Sequence, residues 1–132
     1  MITSPPVVLF IDNHEDTVDM YARSLSALGF QPVIAVTVDD AFLRASMNPP
    51  QVIVADLNLL VRIGFNLIHR LRDDPRTRAI PIIVLTGLTL ASVRQQARDA
   101  GCQRLLLKPC PPATLAGEIR AALPRGEDDV AI

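Results

Sequence analysis

A chain of 132 residues, 49% apolar and 20% charged, can close one ordinary hydrophobic core without metal or disulfide staples, and it is neither disordered nor fibrous. A formal net charge of -1 argues against a dedicated nucleic-acid binder, so no direct nucleic-acid partner is expected. Residues 1–60 carry seven acids against two arginines and residues 61–132 eleven bases against seven acids, a split that reads as solvated helix faces.

After Pro5 and Pro6, Val7–Ile11 is a continuous apolar run, read as the first strand, and it ends at Asp12. Val18, Tyr21, Ala22, Leu25 and Leu28 then recur at helical spacing up to Gly29, which predicts a first helix over 14–28. Residues 31–36 predict a second strand, with Pro32 near its start, where a ladder donor is least missed. Thr37 and Asp40 have capping-box spacing ahead of a second helix through Ser46. The third strand is Val52–Ala55, an apolar run that suits burial on both faces and ends at Asp56. Phe65, Ile68 and Leu71 predict a third helix over 63–73, broken by Asp74-Pro75. A fourth strand over 80–85 ends at Thr86-Gly87, and Leu90, Val93, Ala97 and Ala100 mark a fourth helix closed by Gly101. Leu105–Leu107 is a short fifth strand before Lys108-Pro109; Pro111 and Pro112 open a fifth helix with Leu115, Ile119 and Ala122 on its buried face, and Pro124 stops it.

Strict alternation of five apolar strands with five amphipathic helices predicts an α/β fold. Its core is a five-stranded parallel sheet with helices on both faces, doubly wound, (βα)5 and flavodoxin-like. The chain is read as one domain, 1–132, with a core of about 7–123 and a short polar tail over 124–132. Met1 a few residues ahead of the first strand favours a natural start. No signal-peptide pattern and no apolar run of bilayer-spanning length occurs, so a cytoplasmic protein without membrane contact is expected. Cys102 and Cys110 lack metal-ligand spacing and are read as free thiols.

Right-handed crossovers bring all strand carboxyl ends to one edge. If the first, third, fourth and fifth strands lie side by side, Asp12, Asp56, Thr86 and Lys108 meet in one shallow pocket. Two acids, a hydroxyl and an ammonium suit phosphoryl transfer to a carboxylate. Asp56 is the nucleophile, a divalent cation sits on Asp12 and neighbouring oxygens, and Thr86 and Lys108 contact phosphoryl oxygens. Lys108 is the only lysine in the chain, a compact point charge among arginines. Each residue also has a bland reading: Asp12-Asn13 as a helix cap, Thr86-Gly87 as a turn, Lys108 as a solvated charge, Asp56 as a carboxylate bonded to nearby amides. Their convergence at one edge favours the functional reading. His14 and His69 are read as solvated.

These residues resemble the signature of response-regulator receiver domains, over residues 7–123. The family carries an acid pair after the first strand, an acceptor Asp after the third, Thr or Ser after the fourth and Lys-Pro after the fifth. Here those positions are Asp12-Asn13, Asp56, Thr86 and Lys108-Pro109, with Gly64 and Ala100-Gly101 matching two turns. The resemblance implies a phosphoacceptor signalling domain of a two-component phosphorelay. Asp56 receives a phosphoryl group from a histidine kinase or phosphotransfer protein, with Mg2+ held by Asp12, Asp56 and the backbone carbonyl of Asn58. It implies a cis Lys108-Pro109 bond, a downstream target protein docking on the face of the fourth helix, fifth strand and fifth helix, and no enzyme beyond slow self-catalysed phosphotransfer and dephosphorylation.

The chain departs from the pattern at Asn13, where the family usually has an acid that contacts the metal, so magnesium binding is expected to be weakened. Leu60 replaces a frequent proline, and Leu105 a frequent aromatic switch residue. The main alternative is therefore a divergent pseudo-receiver, a phosphorylation-independent interaction module. A dehalogenase-type phosphohydrolase wants an acid where Asn58 stands, and a flavodoxin-like cofactor site would not place the acidic run from Asp12 to Asp16 against a phosphate.

Overall fold

The computed structural model describes residues 4–12, 14–56, 65–87 and 91–123. In chain order these form β1 (Val7–Ile11), α1 (Glu15–Ala27), β2 (Gln31–Ala35), α2 (Val38–Met47), β3 (Val52–Asp56), α3 (Asn66–Asp73), β4 (Ile82–Thr86), α4 (Ala91–Ala100), β5 (Arg104–Leu107) and α5 (Pro112–Ala122). All strands are parallel, in the order β2-β1-β3-β4-β5. That order sets β1, β3, β4 and β5 side by side, the condition that brings their carboxyl ends together.

The sheet separates two cores because alternate side chains leave opposite faces of a strand. Leu9, Ile11, Ile53, Ala55, Ile82 and Val84 face one way, onto Ala41 and Ala45 of α2, Leu67, Ile68 and Leu71 of α3, and Ala97 and Ala100 of α4. Val8, Phe10, Val52, Val54, Ile83 and Leu85 face the other way, onto Tyr21 and Leu25 of α1 and Leu115, Ala116 and Ile119 of α5. Every residue of β3 and β4 is buried, which explains why both read as unbroken apolar runs rather than alternating ones. Among the described residues no helix is long and apolar enough to cross a membrane.

Helix ends follow their local chemistry. The Thr37 hydroxyl accepts the Asp40 amide at 3.1 Å and starts α2. Gly29 and Gly101, with φ of 97° and 115°, turn the chain out of α1 and α4 in a region that side chains disfavour. Ile63, Gly64 and Leu90, expected in or beside helices, lie outside the described residues, as does Pro124. Phe65 precedes α3 with φ 62°, its buried ring in the α2–α4 core holding a backbone conformation unusual for a non-glycine residue.

One strand is displaced at both ends from the pattern expected of the sequence. β4 begins at Ile82, not residue 80, because the Ile80 amide is committed to the Thr77 carbonyl at 3.0 Å and the Ile80 carbonyl accepts from Arg72 at 2.7 Å. At its other end the strand includes Thr86, whose carbonyl takes the Lys108 amide at 2.7 Å.

Candidate functional site

Asp12, Asp56 and Thr86, three of the five buried polar residues among those described, stand at the carboxyl edge of the sheet. Asp12 follows the last residue of β1, and its amide donates to the Ala35 carbonyl at 3.2 Å, which fixes it against β2. One of its carboxylate oxygens, Oδ1, accepts the His14 amide at 3.0 Å. Asp56 and Thr86 are the final residues of β3 and β4, and the three side-chain bearers Asp12, Asp56 and Thr86 are 2%, 6% and 1% exposed. Burial to that degree is costly for a carboxylate unless something compensates it. For Asp56 the compensation is an ion pair with Lys108, whose Nζ donates to Asp56 Oδ2. Lys108 stands just past β5, with its amide on Thr86 and a cis peptide bond to Pro109.

Four of the expected site residues therefore stand at one edge of the sheet, Asp56 and Lys108 in contact, and the cis bond is present. Asn13, Asn58, Leu60 and Gly64 lie outside the described residues. His14 and His69 are exposed. Leu105, on β5, is partly buried against the α2–α4 core rather than standing free at the surface. Both cysteines are free thiols, and burial pushes each above the ordinary thiol range.

Burial also pushes the Asp12 carboxyl above the ordinary carboxylate range; the Asp56 carboxylate pushes the same way, against the His14 amide and the Lys108 ammonium. A folded-state pKa raised in this way is a stability penalty, fully present above that pKa and relieved as pH falls through it. Asp12→Asn is therefore expected to raise the urea midpoint of the metal-free protein at neutral pH. The advantage should shrink as the pH is lowered through the raised pKa. Urea titrations in chelator at neutral and acid pH check this, and an advantage that persists unchanged into acid would disprove it.

Two contributors escaped the sequence reading. Tyr21 was legible only as part of the apolar stripe of α1, yet its hydroxyl donates to the Cys110 carbonyl at 2.6 Å. Arg72 looks like an ordinary cation in the last turn of a helix, yet its guanidinium binds backbone carbonyls on two separate turns. Neither partnership has a local signature: the Tyr21 bond spans 89 residues and the Arg72 bonds to Gly101 span 29.

Residues 8–120 match the response regulator receiver domain family. The chain belongs to that family. Receiver domains are signalling domains of two-component systems and not enzymes of the usual kind. The receiver is 28% identical over 114 residues to the response regulator PleD of Caulobacter vibrioides, covering 86% of this chain and 25% of PleD. To the transcriptional regulatory protein PrrA of Mycobacterium tuberculosis it is 32% identical over 124 residues, covering 94% of this chain and 52% of PrrA. It thus spans between a quarter and about half of these relatives. The chemotaxis response regulator CheY4 of Vibrio cholerae superposes with a TM-score of 0.82 at 26% identity, over 91% of this chain and 100% of CheY4. The receiver domain of the sensor histidine kinase PA1611 from Pseudomonas aeruginosa shares the fold, with a TM-score of 0.81 at 23% identity over 89% of this chain and 97% of that one. That structure holds a magnesium ion in its active-site cleft.

Proposed function

We propose that this receiver is a phosphoacceptor: Asp56 takes a phosphoryl group from the phosphohistidine of a histidine kinase or phosphotransfer protein. The observation that carries this reading is the Asp56–Lys108 ion pair set beside the buried hydroxyl-bearing Thr86 at the ends of adjacent strands. A carboxylate oxygen of Asp56 attacks phosphorus, the P–N bond breaks and the imidazole leaves with its electron pair, giving an acyl phosphate. Lys108 exchanges its carboxylate partner for a phosphoryl oxygen, and Thr86 donates a hydrogen bond to another. The new charge at this edge biases the face of α4, β5 and α5, on which a downstream protein docks.

The donor set fits a hard divalent cation. Asp12 and Asp56 are two buried carboxylates close enough for one to perturb the other, and the ammonium of Lys108, paired with Asp56, also acts on Asp12. Among the described residues no three acidic, histidine or cysteine side chains cluster as a complete metal cage, and Mg2+ commonly uses one or two carboxylates and keeps its waters. Asp12, Asp56 and the Asn58 backbone carbonyl would hold it, with Asn13 as a weak ligand; when bound, it supplies positive charge against the phosphoryl oxygens. Asn13→Asp is expected to tighten magnesium binding several-fold, measured by titration calorimetry. Unchanged affinity would mean that position 13 does not reach the metal.

The deciding test is incubation with magnesium and acetyl phosphate followed by intact mass. The expected result is a mass gain of one phosphoryl group that disappears in Asp56→Ala. Absence of the adduct under conditions that label CheY4 would overturn the proposal in favour of a docking module that works without phosphate, the reading that Asn13 and Leu105 favour.

A further inference from the structure

We infer that Tyr21 is a positioning residue of the acceptor site, its hydroxyl clamping the turn that carries Lys108 so that the ammonium is held on Asp56. The inference rests on the phosphoacceptor reading for its functional meaning, but not for its geometry. Lys108, Pro109 and Cys110 bridge β5 and α5, and the turn is tied to the body of the protein at two points. The Lys108 amide donates to Thr86 on β4, and the Cys110 carbonyl accepts the Tyr21 hydroxyl at 2.6 Å from α1. The second tie crosses 89 residues of sequence and is buried.

The donor is itself immobilised. Tyr21 is 3% exposed, and its ring stacks on Phe10 of β1 at 5.2 Å between centroids and 26° between planes. Burial raises the phenol above its ordinary range, which keeps it protonated as a donor. A flexible lysine side chain loses much of its rotamer freedom when its charge is fixed on one partner. Holding its backbone from both sides reduces what remains to be ordered, and a small displacement of a charge-stabilising group costs rate steeply. In this arrangement α1 supplies more than the helix that follows Asp12. It also fixes the reach of the lysine on the opposite rim of the pocket.

Lys108 being the only lysine makes the inference directly readable. Acylation by an amine-specific reagent in magnesium-free buffer modifies Lys108 and the chain's α-amino group, and the tryptic peptide 105–120 reports Lys108 alone. Asp56→Ala, which removes the partner carboxylate, is the reference for a released ammonium. Tyr21→Phe, which keeps the ring and deletes only the hydroxyl, should raise Lys108 acylation at least about three-fold towards that reference. Ile68→Val, a core change on the other face of the sheet, lowers stability without touching the turn and should leave acylation at the parent rate. Parent-like acylation in a folded Tyr21→Phe, or an equal rise in Ile68→Val, would overturn the inference. This readout does not require phosphorylation, so it survives failure of the acetyl phosphate test. Where the parent does accept phosphate, Tyr21→Phe should slow labelling several-fold in the parent and not at all in a Lys108→Ala background. A full additional loss in that background would show that Tyr21 acts by another route.

Discussion

Lys108→Ala is expected to slow acetyl phosphate labelling of Asp56 by about a hundred-fold, the order seen when one charge-stabilising donor is removed from a transition state. On the proposed reading an incoming phosphoryl group would meet two buried carboxylates, Asp12 and Asp56, and the ion pair with Lys108 is the counter-charge observed among the described residues. On the proposed phosphoacceptor reading, the ammonium would start on the nucleophile and end on the product, so its attraction for phosphoryl oxygens would grow as the acyl phosphate forms. That difference between ground and transition state is what accelerates a reaction. Lys108→Arg retains the charge but substitutes a wide planar fork for a compact ammonium that sits on one carboxylate oxygen. It should recover only part of the rate. A time course by intact mass measures both variants. A Lys108→Ala rate within two-fold of the parent would show that the ion pair is a structural contact with no part in transfer.

The fold was legible because strand ends coincide with abrupt changes of chemistry. Val52–Ala55 suits burial on both faces, and Asp56 ends the apolar run; β1 likewise gives way to Asp12. Ile80 shows where that logic stops: it is apolar and buried, yet its backbone belongs to a turn because its amide donates to the Thr77 carbonyl and its carbonyl accepts from Arg72 on the preceding helix. Burial sets the composition of a segment, and hydrogen-bond partners decide its conformation. The site shows the same division. Asp12, Asp56, Thr86 and Lys108 announce themselves as polar residues after apolar runs, whereas their meeting depends on the order β2-β1-β3-β4-β5, which alternation alone does not encode. Supporting residues are the least legible of all. Tyr21 and Arg72 satisfy the helical pattern as an apolar and a polar residue, and their long-range polar contacts leave no trace in it.

Arg72→Met is expected to destabilise the domain by about 3 kcal/mol, since hydrogen bonds to a charged group contribute roughly 1.5–3 kcal/mol each and are not additive, and those of Arg72 are part-buried or exposed. The guanidinium donates to the Gly101 carbonyl from Nε and Nη2 at 3.1 and 2.8 Å, to the Arg78 and Ile80 carbonyls from Nη1 at 2.8 and 2.7 Å, and to Gln103 Oε1 at 2.8 Å. Through these contacts the end of α3 ties the 74–80 turn to the turn between α4 and β5. Gln103 passes the connection on, accepting the Ile82 amide on its side chain at 2.7 Å. Burial lowers the Arg72 pKa, but a guanidinium stays charged under any folding condition and so never relinquishes its role as a donor. Methionine keeps most of the stem's packing and removes every donor, stranding part-buried carbonyls on two turns. Arg72→Lys keeps the charge yet offers no planar fork to reach both turns, so it should restore little. The space around the fork is already taken: a side chain at Gly101 would place its Cβ 3.0 Å from Arg72 Nε. Urea unfolding of the parent and both variants measures the effect. If Arg72→Met unfolds within about 0.5 kcal/mol of the parent, the range expected of an ordinary surface change, the two turns are held by their own backbone bonds and the guanidinium is incidental to them.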